Sequence, residues 1–262
     1  MELNRSIAII GAGASGCVCA YLLQKAGFEV TLFDKGVPLR TLLPTGGGRC
    51  NLAHAEYDFK ELAKNYPRGE KFLYSVFSKF STYDTLALFD EFKIETYTQE
   101  DNRIFPTSNS AKDVREKILE NLKNVQIQKE EVVKIEQIDN EFKVVTTKTP
   151  SPPPRARGAN STSKKRKCEY LFTSIVIAIG GHSKFDFLKD FDIKIVPPKP
   201  SLVGLNTKEQ LKDTSGVVVK NAQCSGFEDD LLFTHFGISG PLAYKISSIK
   251  ARENFPYKLN ID

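Results

Sequence analysis

Residues 7–16, IAIIGAGASG, pass from four consecutive apolar side chains straight into a loop with three glycines and no charge. Ile7-Ala8-Ile9-Ile10 reads as a short buried strand, and the stretch to Ala26 as a helix stopped by Gly27. A second apolar run, Val30-Thr31-Leu32-Phe33, ends at Asp34. Strand, glycine turn, helix and strand in that order make a parallel β-α-β unit. The loop fits G-x-G-x-x-G, a weak string by itself. It gains force from the strand before it, the helix after it and an acid about 20 residues further on. In such a unit Gly11 makes the tight turn, Gly13 admits a pyrophosphate to the backbone, and Gly16 lets helix and strand pack closely. Ala14 and Ser15 open the helix, whose first N–H groups and partial positive charge suit an anion. Asp34, with Lys35 beside it, would accept the hydroxyls of an adenosine ribose and repel a 2′-phosphate. The unit therefore expects FAD or NAD rather than NADP.

The order of later segments favours FAD. No second G-x-G-x-x-G occurs, and a late strand, TSIVIAIGG, ends in Ala178-Ile179-Gly180-Gly181. A dinucleotide unit first and an A-x-G-G strand after a β-meander suits large two-domain FAD oxidoreductases. An NAD-dependent dehydrogenase is the competing reading. Ile7 to Leu23 carries no charge, yet its regular glycines and the strand beyond it argue against a secretion signal. No apolar stretch is long enough to span a bilayer, so no membrane partner is expected.

The formal net charge of +5 comes from one place. Residues 150–168 hold six basic side chains and no acid, and without those six the chain has 31 basic residues against 32 acidic ones. Proline, glycine, serine and charge at that density do not bury enough surface to order themselves. The segment reads as an insertion at a strand-to-strand tip, ahead of a nuclear-import-like signal or a polyanion contact. Five cysteines at irregular spacing, with no C-x-x-C, and three scattered histidines offer neither a disulfide framework nor a metal site. A reducing cytoplasm fits that usage.

Between these landmarks, residues 58–93 place Phe59, Leu62, Phe72, Val76, Phe77, Phe80, Leu86 and Phe89 at helical spacing, suggesting helices on one apolar core. Ser110 begins S-x-x-D, a capping signal for a helix through Leu122 with Val114, Ile118, Leu119 and Leu122 as its stripe. Val125 to Thr147 reads as short antiparallel strands, and Leu171 to Ile179 as a buried one. Residues 191–262 alternate β-like runs (Ile193–Val196, Val217–Val219, Tyr257–Ile261) with turns. The fold class expected is α/β: residues 1–190 a Rossmann-like FAD-binding domain with a β-meander, residues 191–262 the start of a β-rich lobe. The last residues read as the middle of a strand.

Three strings carry a resemblance. Gly46-Gly47-Gly48-Arg49-Cys50-Asn51, Arg103-Ile104-Phe105-Pro106 and the stretch Phe233-Thr234-His235-Phe236-Gly237-Ile238-Ser239-Gly240-Pro241 occur in the order that resembles the BaiN/YhiN-like NAD(P)/FAD-dependent oxidoreductases. The resemblance runs along the chain outside the basic insertion. It implies bound FAD, a discontinuous flavin domain and an inserted β-rich lobe, with NADH or NADPH as electron donor. Two departures stand out. HSKFDFLKDFD replaces the family's glycine-rich stretch after Gly181, and the family's last segment does not follow Asp262. The chain thus resembles an amino-terminal portion: a shortened product, a fragment, or one half needing a complementing chain.

Site residues follow from these readings. The glycines 46 to 48 would bring backbone N–H groups to FAD, with Arg49 neutralising phosphate or reduced flavin. Cys50 and Asn51 complete that loop, Cys50 as a packing residue. Val132, Gly180 and Gly181 complete the cofactor face. His235 is a candidate proton donor or substrate-orienting group, set against a structural role in a tight turn. Arg103 reads as a brace, and Ser239 has no evident activating base. The function expected is hydride transfer through flavin N5 between a pyridine nucleotide and a small organic substrate. A non-catalytic flavin-binding subunit is the alternative, and no aromatic-and-basic surface speaks for nucleic acid.

Overall fold

The computed structural model describes residues 6–148, 166–181, 185–209, 211–254, 256 and 258–261. Most of the basic segment, His182 and Tyr257 lie outside them. The strands are β1 (Ser6–Ile10), β2 (Glu29–Phe33), β3 (Ala53–His54), β4 (Thr96–Thr98), β5 (Arg103–Pro106), β6 (Gln126–Gln128), β7 (Glu131–Ile138), β8 (Glu141–Lys148), β9 (Arg166–Phe172) and β10 (Ser174–Ile177), followed by β11 (Leu205–Asn206), β12 (Val218–Cys224), β13 (Phe227–Thr234) and β14 (Gly237–Ser239). The helices are α1 (Ala14–Lys25), α2 (Phe59–Lys64), α3 (Glu70–Phe77), α4 (Thr82–Glu91), α5 (Ala111–Glu120) and α6 (Gly240–Ile249). They form two compact units, Met1–Leu62 with Tyr74–Lys194, and Ala63–Leu73 with Ile195–Asp262.

The first unit is built on a parallel sheet in the order β10-β1-β2-β6. α1 crosses between β1 and β2 as the glycine spacing predicts, and it buries Gly16, Cys17 and Ala20, a face of small side chains that lets the helix lie close to the sheet. It ends in a Schellman cap: Gly27 adopts φ 83°, its N–H donates to the Gln24 carbonyl, and that of Phe28 donates to Leu23. One sheet face packs Ile7, Ile9, Val30 and Leu32 against α1, α4 and α5. The other packs Ala8, Ile10 and Phe33 against Ile135, Val144 and Phe172 of the antiparallel meander β7-β8-β9. α5 starts where expected, with the Ser110 hydroxyl accepting the Asp113 N–H.

Several elements differ from the sequence reading. VQIQ is not antiparallel: β6 pairs in parallel with β2, Leu32 opposite Ile127. The run from Leu171 to Ile179 is two strands, divided at Thr173, whose N–H and hydroxyl both donate to the Ser6 carbonyl. Up to Phe172 it closes the meander; from Ser174 it is the edge of the parallel sheet, where Ser174 and Ile177 are exposed rather than buried. Phe59, Phe72, Phe77 and Phe89 lie on helices while Phe80 falls just beyond α3, and they do not share one core: α3 buries no residue and Phe72 is 74% exposed. The stretch contributes residues to both units, so no single core can gather its apolar face. Lys148 and Arg166 face each other across β8 and β9, so the basic segment does join two paired strands.

The second unit holds the antiparallel sheet β11-β14-β13-β12 with α6 against it. Leu231, Leu242, Ala243 and Ile246 form its core. Ile193–Val196 is not a strand, although three of its four residues are β-branched, because among the described residues no strand pairs with it. The described residues 258–261 are likewise outside any strand.

Candidate functional site

The site begins with Ala12, between the first two glycines. Its N–H donates to Asp34 Oδ2 at 2.8 Å, and its carbonyl accepts the Leu39 N–H at 2.7 Å and the Cys17 thiol at 3.6 Å. The Gly11 N–H donates to the Phe33 carbonyl. Asp34 Oδ1 accepts the Gly36 N–H at 2.7 Å, closing an Asx turn. Each carboxylate oxygen thus takes one backbone N–H and keeps a further lone pair for an incoming hydroxyl. Leu39 holds this arrangement from an unusual backbone, φ 57° with its side chain buried.

The three glycines of the loop divide into two kinds. A Cβ on Gly11 would come within 2.5 Å of the Ala178 carbonyl oxygen, and one on Gly16 would overlap the Gly11 carbonyl oxygen. These two are filled by the protein itself. A Cβ on Gly13 would meet nothing within 4 Å. Gly13 is the N-cap of α1, with no side chain capping it and no acid in the first turn. The helix therefore presents unpaired N–H groups, at Ala14 and Ser15, into open space. That cradle, with Asp34 at its side, fits the diphosphate and ribose of a dinucleotide. Ala178 lies against Gly11, and Gly180 follows with φ 69° and open space where a side chain would stand.

The second motif is folded on itself. The Cys50 and Arg49 N–H groups donate to Thr45 and Gly46, and the Arg49 Nε to Gly46 at 3.2 Å. A Cβ on Gly46 would lie 2.7 Å from the Asn51 nitrogen and 2.8 Å from the Phe105 ring, whereas Gly47 and Gly48 face open space. The Arg49 guanidinium lies 4.2 Å from the Phe105 ring centre, and Leu52 donates to the Ile104 carbonyl. GGGRCN and RIFP are thus one structural feature. Cys50 takes φ 68° with its side chain buried, and burial raises its thiol, which suits packing rather than redox chemistry. Asn51 is exposed.

The remaining expected residues lie elsewhere. Arg103 pairs with Asp101 on the surface. Lys35 is 72% exposed and pairs with Glu131. Val132 is a meander residue opposite Thr146, its side chain packed beneath the parallel sheet. His235, in the second unit, occupies with Phe236 the exposed turn between β13 and β14, their rings edge to face at 5.2 Å. Sequence reasoning passed over Ala12, Gly36 and Leu39; the string D-K-G, an Asx-turn signature, carried the signal for Gly36. Among the described residues no helix is long and apolar enough to cross a membrane, and no three His, Cys, Asp or Glu gather as a metal site.

Sheet, glycine loop, acid and meander define the chain as a protein with a Rossmann-like domain and an additional β-rich region. Residues 5–187 match the family described as the HI0933-like protein Rossmann domain, and residues 199–262 its barrel and H2TH domain. The chain belongs to the HI0933-like family, which bears out the resemblance carried by GGGRCN, RIFP and THFGISGP. It is 31% identical over 264 residues to the ribosomal RNA dihydrouridine synthase of Haemophilus influenzae, covering 92% of this chain and 60% of that protein. Against the ribosomal RNA dihydrouridine synthase of Escherichia coli (strain K12) the identity is 27%, with the same 92% and 60% covered. The chain therefore spans 60% of the length of these relatives. Among solved structures, p-nitrophenol 4-monooxygenase PnpA from Pseudomonas putida DLL-E4 is similar at 12% identity and a TM-score of 0.43, over 100% of this chain and 67% of that one.

Proposed function

We propose that the chain forms the nucleotide-binding part of an FAD-dependent oxidoreductase passing a hydride from NADH or NADPH to a substrate. One observation carries the reading: Gly13 faces open space at a bare helix N-terminus, between two glycines filled by backbone and beside Asp34. FAD, when bound, supplies the hydride acceptor and donor at flavin N5. The chain's own residues then have separate tasks. The N–H groups of Ala14 and Ser15 hold the diphosphate and Asp34 the ribose. Gly47, Gly48 and the stacked Arg49 form the wall along which the flavin approaches, with the Arg49 charge offsetting negative charge there.

For the substrate, the name shared by the two relatives favours uridine in ribosomal RNA. Converting uridine to dihydrouridine adds one hydride and one proton across a ring double bond. The pyridine nucleotide supplies the hydride, and an acid must supply the proton, the task proposed for His235. A small organic acceptor is the second reading, favoured by the near balance of 31 basic and 32 acidic residues outside the basic segment.

The test is the visible spectrum of the purified chain with FAD, then with anaerobic NADH and NADPH. Flavin bands near ~450 nm that bleach are the expected result for a working cofactor site. Failure to bind excess FAD would overturn it, and NADH retention without flavin would favour a plain dehydrogenase. Bound flavin that no pyridine nucleotide reduces would leave a flavin-binding subunit. The substrate arm uses unmodified ribosomal RNA transcript and mass spectrometry: a uridine gaining two hydrogens supports the first reading, and an unaltered transcript under bleaching conditions the second.

A further inference from the structure

Among the described residues Glu130 is the one fully buried charged side chain, 3% exposed. Its Oε2 accepts the Thr146 hydroxyl at 2.5 Å and the Tyr170 hydroxyl at 3.1 Å, and Lys148 Nζ lies 3.7 Å from Oε1. One carboxylate therefore grips β8 and β9 from the joint that leads out of β6 into β7. Burying a charge is expensive, and an apolar side chain at such a point commonly costs the fold nothing. A carboxylate here calls for a reason beyond packing.

The reason lies in what the joint touches. The Gln128 carbonyl accepts the Glu130 N–H at 3.0 Å and also the Asp34 N–H at 3.1 Å. The Tyr170 ring meets Phe33, the residue before Asp34, edge to face at 5.2 Å between centres. Glu130 thus reaches Asp34 by two routes, one through a shared main-chain acceptor and one through a pair of rings. Burial, and then the Glu130 carboxylate, push the Tyr170 hydroxyl up to about 12.

We infer that Glu130 is a positioning residue for the ribose of the bound nucleotide, fixing the meander joint and Tyr170 so that the Asp34 carboxylate stands against the Ala12 N–H with its free lone pairs outward. Without that clamp Asp34 keeps its charge but loses its aim. The inference rests on the reading that Asp34 takes the ribose, and its test separates the two.

The readout is a ratio of affinities for ADP and 2′-deoxy-ADP, measured by calorimetry on the whole chain, with FAD binding measured alongside. In the unaltered chain ADP is expected to bind about tenfold tighter, the contribution of a hydrogen bond to a charged acceptor. Tyr170→Phe, which keeps the ring on Phe33 and removes one hydroxyl, and Glu130→Gln are each expected to shrink that ratio to about twofold or less. 2′-Deoxy-ADP affinity should stay nearly unchanged. Equal weakening of both ligands, with the ratio kept, would mean that Glu130 is a brace and nothing more, and overturns the inference. A ratio near one in the unaltered chain overturns it too, while FAD binding stands. An unaltered chain that binds neither FAD nor ADP overturns the nucleotide site itself. Should Glu130→Gln prove insoluble, Tyr170→Phe decides alone.

Discussion

GAGASG and THFGISGP are both glycine-bearing stretches that run into a helix, the first straight from β1 and the second by way of β14. Their glycines do different things. In the second, a Cβ on Gly237 would overlap the Leu205 carbonyl oxygen, and one on Gly240 would lie 3.0 Å from the Asp230 carbonyl oxygen. Both positions are occupied by neighbouring backbone, and the helix that follows has proline in its first turn. In the first, Gly11 and Gly16 are occupied in the same way, but Gly13 is not. A glycine that packs against its own protein reports a fold. Gly13, facing open space at a bare helix N-terminus beside Asp34, leaves room for a guest.

The largest effect that would break this comparison is at Gly16. Gly16→Val drives a branched side chain into the Gly11 carbonyl oxygen, and the expected cost is about 4 kcal/mol or more of stability. A urea midpoint like that of the unaltered chain would remove the packing argument. Gly13→Val is the counterpart with the opposite signature. Its extended backbone, φ −76° and ψ −174°, accepts valine, so the midpoint should move by no more than about 1 kcal/mol. FAD affinity should nevertheless fall about a hundredfold, read by flavin fluorescence, since the side chain fills the approach to the helix N-terminus. Unaltered FAD affinity would put the dinucleotide elsewhere.

A smaller effect sharpens the same loop chemically. Burial, and then the Asp34 carboxylate, raise the Cys17 thiol from 9.0 to about 12. A group whose folded value is raised contributes stability that is whole below the unfolded value and is lost as pH climbs through the folded one. Stability should therefore decline between pH 9.0 and about 12, with Tyr170 adding to the decline from 10.0 upward. Cys17→Ala should flatten that slope in urea titrations at about pH 8 and about pH 11. An unchanged slope would show that the thiol is not the group responsible.

The legible part of the molecule was written in local signals. The Gly27 stop and the Ser110 cap are decided within a few residues, and both stand where the sequence put them. Long-range partnership is what composition cannot carry. Ile193–Val196 looks like a strand but has no pairing partner among the described residues, and VQIQ takes its direction from β2 rather than from its neighbours in sequence. At the site, the glycines and Asp34 were visible because their spacing is fixed by the turn itself. Ala12 acts through main-chain atoms, which any residue type would supply. Glu130 sits in KEEVVK, within the run read only as short strands, and it is the approach of Thr146 and Tyr170 from two other strands that shows it buried.

The pairing of Lys148 with Arg166 has a consequence for how this chain can change. The two ends of the basic segment are held on one rung of a ladder, whatever lies between them. Doubling the length of a connection so anchored costs only about 0.6 kcal/mol of closure entropy. The connection between those two strands is therefore a place where sequence can be gained, lost or exchanged at little expense to the sheet, and a natural port for a tag or a tether.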